Sequence, residues 1–547
     1  MLLYGMVFAI GDVYLLHNHT SLWWGLAFPV ALIGAQFLIA PNLIEWMLSI
    51  DWDENELPAV HRAFIEKLCA EKGLPMPRVG VIHSSTPNAF CFGRVRSDAR
   101  LVVTDGLLEI LSPEEIDAVL AHEVGHIAHY DFAVMAVAAL APMILYQIYA
   151  FGRHNNHTRP VAYGAYAAYW IGRFLVLSLN RVREASADHF SAHATHEPNE
   201  LSSALVKIAY GMVQYDAETR KAARSKNKEQ KAGYAKERRY GSAISLLGIA
   251  SFNANRALAL TMSDPVKAAA VMRWDLMNPW ASIYQLSSTH PLTALRVRAM
   301  NQESEALHQG VRYPLPDTRD AQWPWMFPVE VALWAAPWIC TFLLLADKPL
   351  AMYAHTHHYN FTASMLHPAW LFLALGLTWM LRIAYRYHGD FKPESVGTLL
   401  EDIEVSEMRP RGVELRGEIV GNGLPGAFWS ADLVLRDETG MMFLLYRASI
   451  PFARLFFALT DASKFVGEQV VVKGWFRRGL RPYVELSELS VTITNVNLPP
   501  GPISILSEST RNATVTRVPL TQRSYSRWIQ FGLSAAATAI GLVMLLV

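Results

Sequence analysis

His122-Glu123-Val124-Gly125-His126 decides how this chain is read. Two histidines four residues apart lie on one face of an α-helix, so their ring nitrogens can converge on a single Zn²⁺. A glutamate between them stands near the metal's open position, where it can take a proton from water. The flanking residues fit a helix. Ser112-Pro113-Glu114-Glu115 supplies an N-cap serine, a proline at the first helical position and a glutamate three residues on to close a capping box. Ile116, Val119, Leu120, Val124 and Ile127 then form an apolar stripe at helical spacing. The plain alternative is a pair of buried structural histidines on a core helix.

The 547 residues leave room for several domains. The chain is 52% hydrophobic and 18% charged, with formal net charge zero, so nothing global points to a nucleic-acid partner. Cys69, Cys91 and Cys340 have no CxxC spacing, which argues against a disulfide framework or a cysteine-built zinc site.

Apolar residues fall into blocks at about 2–17, 22–40, 132–152, 161–179, 329–346, 363–384 and 528–547, each a candidate membrane span. Any one block alone could be a buried core helix. Seven of them, with aromatic residues at their ends, indicate an α-helical integral membrane protein. Residues 1–16 lack the basic start and small-residue cleavage site of a signal peptide. The reading is a retained hairpin in which Asp12 makes the first span the weakest.

Arg220, Lys221, Arg224, Lys226, Lys228, Lys231, Lys236, Arg238 and Arg239 cluster between the fourth and fifth spans, whereas loops on the other side hold few basic residues. The positive-inside tendency then puts 51–131, 181–328 and 385–527 in the cytoplasm, with residues 122 and 184 on one side of an inner membrane. Apart from Tyr234 and Tyr240 the basic run has no aromatics for base stacking, so a solvated loop near anionic lipid fits it better than a nucleic-acid patch.

A catalytic zinc takes three protein ligands and leaves one position open. The fourth span runs directly into Asn180–Asp188, where Glu184 and Asp188 are one helical turn apart. Glu184 is the natural third ligand, and Asp188 suits a carboxylate that accepts from a ligand histidine's other ring nitrogen. Two solvated carboxylates on a membrane-flanking helix are the competing interpretation.

With these residues assembled, the chain resembles the HtpX-like membrane metalloproteases of the gluzincin group, relatives of the CAAX prenyl endopeptidases. Pro87-Asn88-Ala89-Phe90 with Gly93-Arg94 resembles the family's edge strand, and Val102-Val103-Thr104-Asp105-Gly106-Leu107-Leu108 its next strand. Arg181-to-Asp188 matches Arg-x-x-Glu-x-x-x-Asp, and Thr289-His290-Pro291 with Arg296 matches the late Thr-His-Pro element.

The resemblance covers roughly residues 1–300. It implies one Zn²⁺ per chain on His122, His126 and Glu184, with Glu123 as general base. His290 is the candidate oxyanion donor, and Asp188, Arg181 and Arg296 organise the site. Asn88, Ala89 and Phe90 would offer a strand edge to an extended polypeptide. His290 read without the family is an exposed loop histidine ahead of a helix. The expected substrates are membrane or misfolded proteins; a catalytically idle scaffold and a prenyl-protein endopeptidase are the alternatives.

About 250 residues follow Arg296, beyond the family's expected end. Gly412–Val420, Asp432–Asp437, Met441–Tyr446, Gln469–Phe476 and Tyr483–Leu489 read as short strands with turn signals between them, and Ala453–Ala462 as a helix. The pattern resembles an OB-fold barrel. Exposed Arg477, Arg478 and Arg481 with Trp475 would suit single-stranded nucleic acid, but assembly or gating is the better reading.

The expected fold is thus a mainly α metalloprotease domain with a small β edge (α+β), an OB-like β-barrel and a terminal membrane helix. Its parts are an N-terminal hairpin (1–50), the protease domain (51–310) with two spans, a second hairpin (329–384), the barrel domain (385–525) and the last span (528–547). The outward histidines His17, His19, His154, His157, His355, His357 and His358 lack fixed spacing and are not read as a metal site. Asn18, Asn156 and Asn360 match the glycosylation signal, which carries little weight alone.

Overall fold

The computed structural model describes residues 22–84, 87–153, 157–208, 265–316, 325–356, 368–422, 432–447, 462–479, 482–491, 521–523 and 525–546. The chain divides into two compact units, one holding residues 1–276 and 281–316 and the other 277–280 and 317–547. The basic run of 220–239, the first apolar block, the Ala453–Asp461 part of the anticipated helix, and Arg481 lie outside the described residues, as do His17, His19, His154, His357, His358 and the three glycosylation signals.

The first unit begins with α1 (Leu22–Leu48) and α2 (Ala59–Lys72). Strands β1 (Arg78–Ile82), β2 (Ala89–Phe92) and β3 (Arg100–Thr104) follow, then α3 (Asp105–Ile110) and α4 (Pro113–Ala128). The long helices α5 (Asp131–Gly152) and α6 (Arg159–Thr195) come next, and α7 (Pro265–Met277), α8 (Pro279–Leu286) and α9 (Thr293–Ala306) close the series, apart from residues 277–280, which belong to the second unit. The sheet has order β1-β3-β2, with β1 parallel and β2 antiparallel to β3, so β2 is an edge strand. The 102–108 stretch does not continue as a strand: β3 stops at Thr104 and the chain turns into α3, with Leu107 fully buried.

α4 starts where the residues require. Ser112 Oγ accepts from Glu115 N at 3.3 Å, and Glu115 Oε2 accepts from Ser112 N at 2.8 Å. The same carboxylate receives Ser203 Oγ (2.6 Å) and Lys207 Nζ (2.7 Å), tying the helix start to the segment before 208. Val119, Leu120 and Val124 pack with Leu101, Val103, Leu201 and Leu205 in one core. Each such side chain contributes roughly 1.5–3 kcal/mol on burial. The helix ends at His129; Tyr130 adopts φ 56°, and α5 departs from Asp131 in a new direction. Where α4 crosses α6, Gly125 faces Ala187 and Phe190, and Ser191 Oγ donates to Ala118 O at 2.6 Å.

In the second unit α10 (Phe327–Thr356) and α11 (Pro368–Arg386) precede β4 (Lys392–Pro393) and α12 (Val396–Glu401). Strands β5 (Arg411–Asn422), β6 (Leu433–Arg436), β7 (Met441–Leu445), β8 (Gln469–Arg478), β9 (Pro482–Val491) and β10 (Thr521–Arg523) lead to α13 (Ser526–Leu546). β5 pairs with β6, β6 with β7, β7 with β9, β9 with β8, and β8 back with β5, so five strands close into a barrel. Closure leaves no open edge among those five. α11 and α13 approach closely at glycines: a Cβ on Gly376 would meet Ser534 and Thr538, and one on Gly541 would meet Ala369 and Leu373.

Two of the three barrel cations expected to be exposed, Arg477 and Arg478, are not. Arg477, Arg478 and Trp475 are buried. Arg477 Nε donates to Glu485 Oε2 at 2.8 Å, and Arg478 donates to Leu400 O. Arg477 also donates to Glu407 O and Arg386 O, and Trp475 packs against Tyr387 and Phe391, so neighbouring segments cover these side chains and a buried guanidinium spends its donors on protein acceptors.

Among the described residues, five helices are long and apolar enough to cross a membrane: Trp23–Leu48, Asp131–Gly152, Phe327–Leu345, Pro368–Arg386 and Ser526–Leu546. Their apolar side chains face outward, Val137, Phe342 and Leu533 among them. Such surface has no aqueous rationale and fits lipid. The 161–179 block is helical but is not among the five. Its tyrosines and Arg173 dilute the apolar run, and Tyr166 and Tyr169 pack against Tyr149 and Tyr146 of α5.

Candidate metal centre

α4 and α6 bring together residues 62 positions apart in sequence, His122 and Glu184. His122 Nε2 and His126 Nε2 are 3.1 Å apart, and each lies 3.9 Å from a different oxygen of Glu184. All three side chains are buried.

The other ring nitrogens face carboxylates. His126 Nδ1 is 2.5 Å from Asp131 Oδ2, and His122 Nδ1 is 2.9 Å from Asp188 Oδ1. The first is a hydrogen bond. The second is a contact at hydrogen-bond distance. A carboxylate only accepts, so both contacts favour the tautomer with its proton on Nδ1. The two Nε2 lone pairs then point at one small region beside a carboxylate. Glu184 Oε2 is buried and accepts no hydrogen bond among the described residues.

Three converging electron-pair donors with an orphaned buried oxygen repel one another unless a cation joins them. The N₂O donor set suits zinc, whose tetrahedral Zn–N bonds of 2.0–2.1 Å imply ligand separations of about 3.3 Å. The residues fit the metal.

Electrostatics agree. Burial alone would lower the pKa of His126, but the Asp131 hydrogen bond and the charges of Glu184 and Glu123 outweigh it, and the net shift is upward. Burial would likewise raise Glu184, yet His290, His126 and Arg296 hold its carboxyl well below the usual range. Asp188 is also pushed up by burial and pulled down further by Arg296 and His122. The pocket stabilises positive charge and ionised carboxylates together.

The remaining residues singled out in the sequence gather here. Arg296 grips Asp188 with two bonds, Nε to Oδ2 at 2.8 Å and Nη2 to Oδ1 at 2.6 Å, and its Nη1 lies 3.7 Å from Glu184. His290 Nδ1 is 3.2 Å from Glu184 Oε1; the side chain is only 20% exposed, so it is not the free loop histidine its position allowed. Arg181 holds the loop before it through Gln285 O (2.9 Å) and Ser288 O (3.1 Å), and Asn180 donates to Thr289 O.

Glu123 is buried on α4, and Cys91 Sγ of β2 donates to its carbonyl at 3.4 Å. Burial, with the charge of Glu123, keeps the Cys91 thiol protonated. Asn88 and Thr104 exchange backbone and side-chain bonds that anchor the start of β2.

Sequence reasoning missed Asp131 and Arg183. Asp131 receives His126 Nδ1 and also lies 3.0 Å from Arg183 Nε. The available signal was an aspartate five residues after the second histidine, placed by the helix stop at Tyr130.

The profile of Peptidase family M48 matches residues 55–304. A protease HtpX homologue of Methanothermobacter thermautotrophicus is 37% identical over 217 residues, covering 38% of this chain and 82% of its own length. An HtpX homologue of Methanosarcina mazei is 33% identical over 222 residues, with 38% and 75% covered. Another from Moorella thermoacetica is 34% identical over 201 residues, with 34% and 67% covered. The crystal structure of S. mikatae Ste24p aligns with 54% of this chain and 63% of its own at 16% identity and TM-score 0.32, a likeness too distant to carry weight. The matches meet the chain where the buried His-His-Glu cluster lies, and the chain belongs to the M48 peptidases as an HtpX-like membrane metalloprotease.

Proposed function

We propose that the protein is a zinc-dependent membrane endopeptidase that hydrolyses peptide bonds of membrane or misfolded proteins. The observation that carries this reading is the convergence of His122, His126 and Glu184 from two helices, within 4.8 Å of one another. These three would hold one Zn²⁺ per chain. Bound there, zinc supplies Lewis-acid chemistry that brings the pKa of water toward neutrality.

Glu123 takes the proton of the attacking water and passes it to the leaving amine. His290 donates to the carbonyl oxygen as it gains charge. Asp188 and Asp131 keep the ligand imidazoles in the Nδ1–H form, and Arg296 and Arg181 hold Asp188 and the His290 loop in place. Ala89 and Phe90 lie on the edge strand β2, with Asn88 just before it, and the outer edge of that strand can pair with an extended polypeptide at little cost in sequence selectivity.

The site lies on the cytoplasmic face of the inner membrane, a reading supported by the lysines and arginines of 220–239. Residues 51–310 form the protease domain, flanked by the hairpins 1–50 and 329–384. The barrel of 385–525 is OB-like: its first strand pairs with the second and fourth, and its third runs parallel to its fifth. It serves protein assembly or gating in preference to nucleic-acid binding, given its buried Arg477, Arg478 and Trp475.

The test is Glu123→Gln in full-length detergent-purified protein. Casein hydrolysis falls by at least about 10²-fold, the scale of lost acid–base catalysis, with zinc retained. Unchanged hydrolysis would reject the assignment of the base.

A further inference from the structure

α6 does not end at the metal centre. Two turns past Glu184 it carries a second pair of histidines at helical spacing, His189 and His193, whose ring centroids are 4.1 Å apart. Glu303 of α9 meets them. Its Oε1 is 2.8 Å from His189 Nδ1, and its Oε2 is 3.6 Å from His193 Nε2. One ligand atom from each of the three lies within 4.8 Å of the other two. The histidines are 60% and 50% exposed, so an ion from solution can reach them. None of the three has a part in the peptidase chemistry above.

A surface histidine–carboxylate contact alone contributes little, about 0–1 kcal/mol. This cluster offers more, because its geometry is set by two helices already locked together through the Arg296–Asp188 pair. Two imidazoles at i and i+4 with a carboxylate from the neighbouring helix give an N₂O set, and little ordering is needed to close it. Nitrogen donors favour Zn²⁺, Ni²⁺ and Cu²⁺ and disfavour Mg²⁺ and Ca²⁺.

We propose that His189, His193 and Glu303 form a second, exchangeable site for a divalent transition metal that bridges α6 to α9. Bound metal pins the helix that carries Glu184 and Asp188 to the helix that carries Arg296. Water completes the coordination, so the ion binds more weakly than one at the buried centre.

The experiment uses full-length protein in detergent, with the buried centre loaded and exchangeable ions removed by a weak chelator. NiCl₂ is titrated calorimetrically, and the melting temperature is followed with and without it. Wild type binds one more Ni²⁺ per chain than His189→Ala/His193→Ala and melts about 2–4 °C higher when saturated. The double variant shows neither effect yet keeps wild-type casein hydrolysis and its nickel-free melting temperature. Glu303→Gln binds the extra ion at least about tenfold more weakly. MgCl₂ produces no shift. Equal nickel stoichiometry and equal thermal response in wild type and the double variant would overturn the proposal.

Discussion

Asp131 Oδ2 sits 2.5 Å from His126 Nδ1, at the point where α4 stops and α5 turns away. The carboxylate also contacts Arg183 one residue before Glu184, so a single side chain links both helices that carry the His122, His126 and Glu184 cluster. Asp131→Asn keeps the shape but presents a neutral amide to the imidazole. The expected result is a 10–100-fold loss of metal affinity, with hydrolysis largely restored by added zinc. Metal titration against a competing chelator measures it, and undiminished affinity would show that Asp131 is not coupled to the ligand.

Arg296 is the cation shared by Asp188 and Glu184. Arg296→Ala leaves two buried carboxylates without it, and the loss is expected to reach about 3–5 kcal/mol. Arg296→Lys recovers part of this, since an ammonium supplies charge but not the two-pronged grip. Thermal unfolding of the three proteins orders them wild type, lysine, alanine. Equal stability of wild type and alanine would contradict the assignment.

Gly125 lies between His122 and His126 of α4, and a Cβ there would sit 3.2 Å from Ala187 Cα and Phe190 Cβ. Ala187's backbone cannot retreat without moving α6, and Glu184 moves with it. Gly125→Ala is therefore expected to reduce zinc affinity about tenfold or more, although alanine favours helix by about 1 kcal/mol. A variant with wild-type zinc affinity would show that α6 tolerates the displacement.

Glu485 gives the barrel a pH dependence of known sign. Burial pushes its pKa up; Arg477, Arg447 and Arg386 pull it down further, leaving it lowered from 4.5 to about 2. The folded value lies below the unfolded one, so the stabilisation is complete above about pH 4.5 and is lost as pH falls toward 2. Its size is about 3 kcal/mol. Hydrogen exchange of peptides covering 469–491 should show protection falling between pH 5 and pH 3, and Glu485→Gln should lose protection at pH 6, with a smaller difference from wild type at pH 3. Identical protection at pH 3 and pH 6, after correction for the intrinsic exchange rate, would remove Glu485 from this role.

Much of the centre was legible because helical spacing is local. His122, His126 and the Ser112–Glu115 capping box are fixed by the chain's own periodicity. Glu184 needed the family pattern to rise above a solvated carboxylate, because nothing local says that α6 returns to α4. Asp131 escaped notice because its role depends on the left-handed turn at Tyr130, a backbone feature that residue type does not announce. Arg477 and Arg478 were misread as surface cations: the alternation of a short strand shows that one face is buried, but not that Glu485, Arg386 O and the Leu400 carbonyl of α12 cover the arginines on both faces. The strand expected to run through Leu108 failed because Val102–Leu108 is apolar enough for either element, and burial of Leu107 suits both.

The central claim is that His122, His126 and Glu184 hold one metal ion between two helices. Its most direct measurement is tightly bound zinc after weak-chelator treatment, in detergent-purified wild type, Glu184→Ala and Glu123→Gln, alongside casein hydrolysis. About one zinc per chain should be present in wild type and Glu123→Gln and lost from Glu184→Ala, with hydrolysis confined to wild type. A Glu184→Ala protein that keeps its zinc and still cleaves casein would contradict the account.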